Sequence, residues 1–317
     1  MTVLPHAAFE TTRIGVGCAH LTQGISCRYD NRIIHAALDA GARHFDVAPQ
    51  YGLGTAEALL GRALRGRRNQ VTIVSKVGIP RPEVPRAMLQ VRAVAAPLRW
   101  LIRQSGLLPP RRAATRDFSL SNVRASVRDS LRDLQTDHLD ALLLHMVTLD
   151  EISDELLDHL DRLRQAGTVG AIGLATTRAE TARILGAFPR VFDVAQHGWS
   201  VFDPVPVMDD GNALLVTHGA LRGAFHSLSA RIRRDSGLRE QLSEATGDDL
   251  GDRRLLAALM VGAAVAANPH GIVLVASRFP QRLCANIAAA QDDRIVLGGR
   301  RLAAALLEER AIGTPRP

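Results

Sequence analysis

The sequence predicts a single α/β domain over residues 1–317, folded as a (β/α)8 TIM barrel. Short β-type runs alternate with helical patterns along nearly the whole chain of 317 residues. Several runs are apolar throughout, such as ALLL before His145 and IVLVA after Gly271, which is typical of parallel strands buried on both faces. Eight such runs, separated by helical patterns in roughly 300 residues, favour a closed barrel over an open sheet. No GxGxxG motif follows the first strand, which also argues against an open dinucleotide-binding sheet.

The repeated strand–helix pattern gives the order of the elements. Strands are predicted at Ile14–Cys18, His44–Val47, Val71–Lys76, Leu139–His145, Val169–Leu174, Val191–His197, Ala213–Thr217 and Gly271–Ala276. Helical patterns lie between them near residues 31–40, 56–65, 121–134, 154–166, 178–187 and 253–267, and another at 280–290 follows the last strand.

Two segments interrupt this alternation. Residues 77–118 are too long for an ordinary connection and contain six prolines. Because they follow the C-terminal end of the third strand, we expect a long loop that overhangs the catalytic face of the barrel. Residues 198–212 leave little room for the helix between strands six and seven, so we predict a shortened helix 6.

The composition indicates a soluble protein. The chain is 46% hydrophobic and 22% charged, a balance that argues against disorder, and no apolar run is long enough to span a membrane. The N-terminus lacks the pattern of a signal peptide. The three cysteines form neither a disulfide framework nor a zinc site. We therefore expect a cytoplasmic protein without an integral membrane segment or a metal site.

The positive charge is concentrated in one segment. The formal net charge is +7, and residues 81–116 hold eight arginines against a single acidic residue, Glu83. The balanced remainder of the chain argues against a nucleic-acid-binding protein. Three interpretations of residues 81–116 remain open. They are an arginine-rich solvated loop, a basic amphipathic flap that attracts an anionic substrate, and a surface that contacts an anionic membrane or an acidic partner.

Lys76 is the only lysine in a chain with 38 arginines. Arginine is effectively always charged, whereas the pKa of a buried lysine shifts and its ammonium group can tune a neighbouring group. Lys76 ends an apolar strand, so we expect it to be an active-site group.

Four titratable residues lie at or just beyond predicted strand ends, where barrel enzymes place their catalytic groups. They are Asp46, Tyr51, Lys76 and His145. A tyrosine hydroxyl can exchange a proton with a carbonyl if a nearby ammonium lowers its pKa, and a carboxylate beside the lysine keeps that lysine charged. A histidine within reach of the carbonyl oxygen can orient the substrate. Each residue alone could be an ordinary core or turn residue, but together with the only lysine they predict proton-coupled hydride transfer.

Several motifs resemble those of the aldo-keto reductases, in particular the branch with sugar and pyridoxal dehydrogenases. The block DAGARHFDVAPQYGLGTAEALLGRAL is similar to the family's DAGxxxxDTAxxYGxxExxLGxxL. SKVG resembles the strand with the catalytic lysine, HLDALLLH the strand with the catalytic histidine, and GTVGAIGLATT the fifth strand. The resemblance extends from about Arg13 to Ala290 and implies a (β/α)8 barrel that uses a nicotinamide cofactor.

The resemblance also implies roles for individual residues. Tyr51 would be the general acid–base, Lys76 the partner that lowers its pKa, Asp46 the carboxylate beside Lys76, and His145 the residue that orients the carbonyl. The implied cofactor contacts are Thr176 and Gln196 at the carboxamide, Trp199 stacked on the nicotinamide, Ser277 and Arg278 at the 2′-phosphate, and Arg282 and Asn286 beside the adenine. Arg278 favours NADPH, although it could equally be a solvated charge, and Ala276 leaves NADH as an alternative.

The implied activity is the interconversion of an aldehyde or ketone and an alcohol, with a small carbonyl or sugar substrate that could be anionic. The alternatives are oxidation of an aldose hemiacetal to a lactone and a non-catalytic, cofactor-binding regulatory barrel. Two departures from the family pattern support the latter, namely His218-Gly219-Ala220 in place of a Ser-Pro-Leu turn and the short helix 6. The sequence leaves the physiological substrate and the oligomeric state open.

Overall fold

The strands converge into one closed parallel barrel. The computed structural model describes residues 3–6, 9–21, 27–82, 115–203 and 213–313. The described strands are β1 (Val3–His6), β2 (Phe9–Thr12), β3 (Ile14–Gly17), β4 (His44–Asp46), β5 (Thr72–Val77), β6 (Leu139–His145), β7 (Val169–Ala175), β8 (Val194–Gly198), β9 (Leu214–His218) and β10 (Ile272–Val275). Strands β3 to β10 pair in sequence order, and β10 closes the barrel on β3. The predicted (β/α)8 fold and its eight strands are confirmed, with boundaries that differ by at most three residues.

The described helices surround the barrel. They are α1 (Cys27–Asp39), α2 (Ala56–Ala63), α3 (Leu120–Leu134), α4 (Asp154–Gln165), α5 (Arg178–Ala187), α6 (Arg222–Arg234), α7 (Ser236–Thr246), α8 (Arg253–Ala267), α9 (Pro280–Ala289) and α10 (Asp293–Gly313). Sequence reasoning missed α6, α7 and α10, as well as the β1–β2 hairpin. Residues 199–203 are not helical, and residues 204–212 lie outside the described residues. The shortened helix between barrel strands six and seven, which here are β8 and β9, therefore stays a prediction. In the described ranges, no helix combines the length and the apolar character needed to cross a bilayer.

Side-chain alternation along the strands separates two apolar clusters. A small cluster includes Val74, Leu143, Val194 and Ile272. The larger cluster lies between the strands and the helices. Because alternate residues share a face of a strand, Lys76 projects on the same side as Val74, one step closer to the C-terminal end of β5. The side chain of Lys76 therefore lies inside the barrel, near its C-terminal end.

The long insertion after β5 leaves and rejoins the barrel at one place. The N–H of Asp117 donates to the carbonyl of Gly78 (2.8 Å), and the ring of Phe118 packs on Gly78 so closely that a Cβ there would lie 2.2 Å from it. Gly78 also has a φ of +106°, which glycine adopts without strain. Residues 83–114, and with them most of the basic segment, lie outside the described residues.

The two arginines of the basic segment that are described are both paired with carboxylates. Arg81 bonds Glu57 (2.6 Å) and Asp133. Arg116 lies 3.2 Å from Glu151. These contacts hold both ends of the insertion against the barrel. They also neutralise the charge of the two arginines locally.

The β1–β2 hairpin packs against the N-terminal end of the barrel. Phe9 contacts the inner apolar cluster, and its ring lies 6.4 Å from that of His44. His44 is 1% exposed; its Nδ1 lies 3.4 Å from the hydroxyl of Thr11. Its Nε2 has no hydrogen-bond partner among the described residues. Burial lowers the pKa of His44 to about 4.

We predict that His44 makes the protein less stable in mild acid. The unfolded chain binds a proton on this histidine below pH 6.5, whereas the folded protein binds it only near pH 4 and below. The contribution of His44 therefore lowers the free energy of unfolding as the pH falls from 6.5 to about 4, and it stays constant at lower pH. The full effect is about 3 kcal/mol. Urea unfolding at pH 7 and pH 4.5 should show a smaller pH-dependent loss for His44→Gln than for the wild type. The same substitution at the exposed His270 is the control, and an equal loss in His44→Gln and wild type would contradict the prediction.

Candidate active site

A buried ion pair lies at the C-terminal end of the barrel. The Nζ of Lys76 donates to Oδ2 of Asp46 and to the carbonyl of Val47 (3.2 Å). Lys76 is 1% exposed and Asp46 3%. The register of β4 against β5 opposes Asp46 to Val74, so the lysine reaches across to the adjacent strand. Burial alone would lower the pKa of Lys76, but Asp46, together with Tyr51 and Cys18, outweighs this effect and the pKa is raised. The lysine is therefore an ammonium group.

Tyr51 is held beside this pair by a tight turn that follows β4. Its N–H donates to the carbonyl of Ala48 (3.0 Å), and three consecutive residues, Gly52, Leu53 and Gly54, have φ values of +58°, +59° and +85°. Such values are unfavourable for leucine, so the surrounding structure imposes the turn. The Nζ of Lys76 lies 5.4 Å from the centre of the Tyr51 ring.

His145 completes the group at the end of β6. Its ring stands edge-on to that of Tyr51, with 6.3 Å between ring centres and 87° between planes. The side-chain Nε2 of Gln50 lies 2.8 Å from its Nδ1. The predicted residues Asp46, Tyr51, Lys76 and His145 thus surround one point at the mouth of the barrel.

The surroundings set the protonation of the two aromatic groups. Burial, reinforced by the charge of Lys76, lowers the pKa of His145 to about 3, so its imidazole is neutral. Burial raises the pKa of Tyr51 and the ammonium of Lys76 opposes this without overcoming it. Lys76 lowers the pKa of Tyr51, as the sequence predicts, but this lowering is smaller than the rise caused by burial. The tyrosine is therefore a phenol that can donate a proton to an oxygen atom bearing developing negative charge.

Three of the predicted cofactor residues lie beside this mouth. Thr176 and Gln196 are buried after β7 and on β8, and the N–H of Thr176 donates to the carbonyl of Gln196 (3.2 Å). The side-chain Oε1 of Gln196 is buried without a hydrogen-bond partner among the described residues. Trp199 is 6% exposed and packs partly into the core, and it also lines a cavity of about 510 Å³ with His218 and Arg222.

The remaining predicted cofactor residues follow β10. The hydroxyl of Ser277 accepts a hydrogen bond from the N–H of Phe279 (3.1 Å). Arg278 is exposed, and no carboxylate of the described residues pairs with it. Arg282 is also exposed and lies over the ring of Phe279, 4.7 Å from its centre. Asn286 is 9% exposed. This region therefore presents two exposed cations, Arg278 and Arg282, after the C-terminal end of β10.

Sequence reasoning did not assign two residues of the site. Gln50 contacts His145 directly, but a single polar residue in a loop gives no periodic signal. His218 was noted only as a departure from the family pattern. In the structure it lines the cavity beside Trp199, and the charges of Asp46 and Lys76 act on it. Its place at the end of a strand, two residues beyond an apolar run, was a usable signal.

Comparison with known proteins gives a consistent result. The model of the aldo/keto reductase family matches residues 13–209. A D-threo-aldose 1-dehydrogenase from Pseudomonas sp is 30% identical over 54% of this chain and 51% of its own length. A 6-dehydroglucose reductase from Agrobacterium fabrum is 32% identical over 46% of this chain and 42% of its own. The chain thus matches about half the length of these relatives.

Solved structures are similar over nearly the whole chain. A glycerol dehydrogenase from Gluconobacter oxydans has a TM-score of 0.67 and 21% identity over 99% of this chain and 98% of its own. An aldo-keto reductase from Klebsiella pneumoniae, in complex with NADPH, has a TM-score of 0.63 and 20% identity over 100% and 98%. At this identity the likeness shows the shared fold.

We predict that Lys76→Met strongly destabilises the protein. The substitution leaves Asp46 buried without its cation, which costs about 3–5 kcal/mol. Urea unfolding at pH 7 should therefore give a much lower free energy of unfolding. The double variant Asp46→Asn/Lys76→Met should recover part of the loss, because it removes the orphaned charge. A single variant as stable as wild type would contradict the interpretation of the pair.

Proposed function

The chain belongs to the aldo/keto reductase family, and from this we propose that it interconverts a carbonyl and an alcohol by hydride transfer with a nicotinamide cofactor. The observation that carries the proposal is the convergence of a neutral Tyr51 phenol, the Lys76–Asp46 ion pair and a neutral His145 at the barrel mouth. A bound NAD(P)H supplies the hydride. The protein supplies the proton and the orientation of the substrate.

Tyr51 donates its proton to the carbonyl oxygen as negative charge develops there. The ammonium of Lys76 stabilises the phenolate that remains, and Asp46 holds that ammonium in place. His145 carries no charge and provides an N–H that can orient the same oxygen. In the direction of oxidation the same groups act in reverse, and the phenolate of Tyr51 accepts the proton of the alcohol.

The residues at the mouth fit a nicotinamide cofactor. The unpartnered Oε1 of Gln196 is an acceptor that the amide N–H of a carboxamide group would satisfy, and its burial makes leaving it unpaired costly. Thr176 lies beside it. Trp199 would provide an aromatic surface for the nicotinamide at the wall of the cavity.

Ser277, Arg278, Arg282 and Asn286 would hold the adenosine end. The exposed guanidinium of Arg278 is not neutralised by a described carboxylate, and arginine binds phosphate strongly through paired hydrogen bonds. This supports NADPH as the preferred cofactor, with NADH as the alternative.

The substrate class that we propose is a sugar or another small polyol-derived carbonyl compound. The curated relatives named above carry sugar activities in their names. The name of the first relative favours a second reaction, oxidation of an aldose at its hemiacetal carbon. The basic segment also predicts an anionic substrate, and most of that segment lies outside the described residues.

We predict that Tyr51→Phe abolishes most of the turnover. Loss of a general acid reduces the rate on the order of 10²- to 10⁴-fold, while the affinity for the cofactor should not change. The measurement is NADPH oxidation with a panel of aldoses and simple aldehydes, together with NADP⁺ reduction by aldoses. Tyr29→Phe, at the only other tyrosine, is the matched control. Tight cofactor binding with no turnover of any substrate by wild type would favour a regulatory barrel instead.

We predict that Arg278→Ala weakens the binding of NADPH about tenfold, which is the loss of roughly 1.4 kcal/mol, and leaves the binding of NADH nearly unchanged. Titration with each cofactor, followed by quenching of tryptophan fluorescence, measures both affinities. Arg132→Ala, at an exposed arginine of α3 paired with Asp129, is the control. Equal weakening for both cofactors would show that Arg278 does not contact the 2′-phosphate.

A further inference from the structure

The imidazole of His145 is held on one side by a side chain that the proposed chemistry does not use. The Nε2 of Gln50 lies 2.8 Å from Nδ1 of His145. The other polar atom of this amide, Oε1, is buried without a hydrogen-bond partner among the described residues. Among the described residues, the hydrogen-bond partner of this amide is the imidazole of His145.

This contact determines where the histidine carries its proton. A neutral imidazole has one N–H, which can be on either ring nitrogen. An amide N–H is only a donor, so Nδ1 of His145 must be the acceptor and the proton must be on Nε2. No described residue bonds to Nε2, which leaves that N–H available to a bound molecule.

The position of Gln50 in the chain also links the placement of His145 to that of Tyr51. It directly precedes Tyr51 and occupies the N-cap position of the short turn that begins with it. One tight turn therefore supplies both neighbours of the imidazole, the hydrogen bond from Gln50 and the edge-on ring of Tyr51. The proton donor and the residue that orients the substrate are in this way fixed relative to each other.

The amide group suits this position because it is polar without being charged. A carboxylate here would accept a hydrogen bond from a protonated Nδ1 and so would stabilise the opposite tautomer or the imidazolium. It would also place a second negative charge near Lys76. An aliphatic side chain would leave both tautomers accessible.

We propose that Gln50 is a positioning residue that holds His145 in the Nε2–H tautomer, so that Nε2–H is the donor to the substrate oxygen. This role rests on the proposed hydride-transfer function. The structural part of it, the choice of tautomer, is a property of the protein without substrate and can be measured separately.

The first test is proton–nitrogen correlation NMR spectroscopy at pH 7, on protein whose histidines are labelled with the heavy isotope of nitrogen. The signal of His145, assigned by its loss in His145→Asn, should show a protonated Nε2 and a bare Nδ1. Gln50→Leu should give a mixture of the two tautomers, and Gln50→Glu should give a protonated Nδ1. The exposed Gln70 provides the control Gln70→Leu, which should reproduce the wild-type spectrum.

The second test is steady-state kinetics on the same variants. Hydrogen-bond partners that orient metal-binding histidines contribute on the order of 10- to 100-fold to activity. We expect an effect of the same order on His145, so kcat/KM should fall on the order of 10- to 100-fold in Gln50→Leu and in Gln50→Glu. The Kd of NADPH should stay at the wild-type value. A side chain with a purely structural role would instead lower the unfolding midpoint without changing the tautomer.

The two tests separate failure of the proposal from failure of the proposed function. A wild-type His145 protonated on Nδ1, or a Gln50→Leu variant with the wild-type tautomer and wild-type kcat/KM, would overturn the role of Gln50 even in an active enzyme. Absence of turnover in the wild type would refute the proposed function, and the spectra would still decide whether Gln50 sets the tautomer.

Discussion

An ammonium group buried inside an apolar barrel requires a carboxylate beside it, and this requirement organises the mouth of the molecule. Lys76 obtains its carboxylate from the neighbouring strand, where Asp46 lies within hydrogen-bond distance. The pair also influences the pKa values of the titratable residues around it. Its positive end helps to keep His145 neutral and opposes the burial that raises the pKa of Tyr51. Arginine is not equivalent to this lysine, because its planar, larger head group does not present a compact charge to the phenol.

Much of the barrel and the centre of the site could be predicted from the sequence, for a physical reason. Strands buried on both faces are apolar throughout, as in β6 and β10, and such runs stand out without any structural information. The C-terminal ends of parallel strands meet at one rim, so titratable residues at those ends, such as Asp46 and His145, are brought together by the topology alone. The rarity of lysine in this chain marked Lys76 independently.

Other features depend on contacts that have no periodic pattern. The four-residue strands of the N-terminal hairpin are too short to show alternation, and β1 contains a proline. Helices α6 and α7 share Asp235 at their junction, the C-cap of one and the N-cap of the other, which obscures them as separate elements. The contact between Gln50 and His145 depends on a turn with three consecutive left-handed residues. For Trp199, position along the chain predicted nearness to the mouth, but the extent of its packing into the core is set by neighbours distant in sequence.

The hydrogen bond between Asp117 and Gly78 has an evolutionary meaning. A chain excursion whose two ends are already joined can be lengthened or shortened at small entropic cost, about 0.6 kcal/mol for each doubling of its length. Natural selection or an engineer can therefore change the length of this segment while the ion pair and the proton donor of the barrel keep their places.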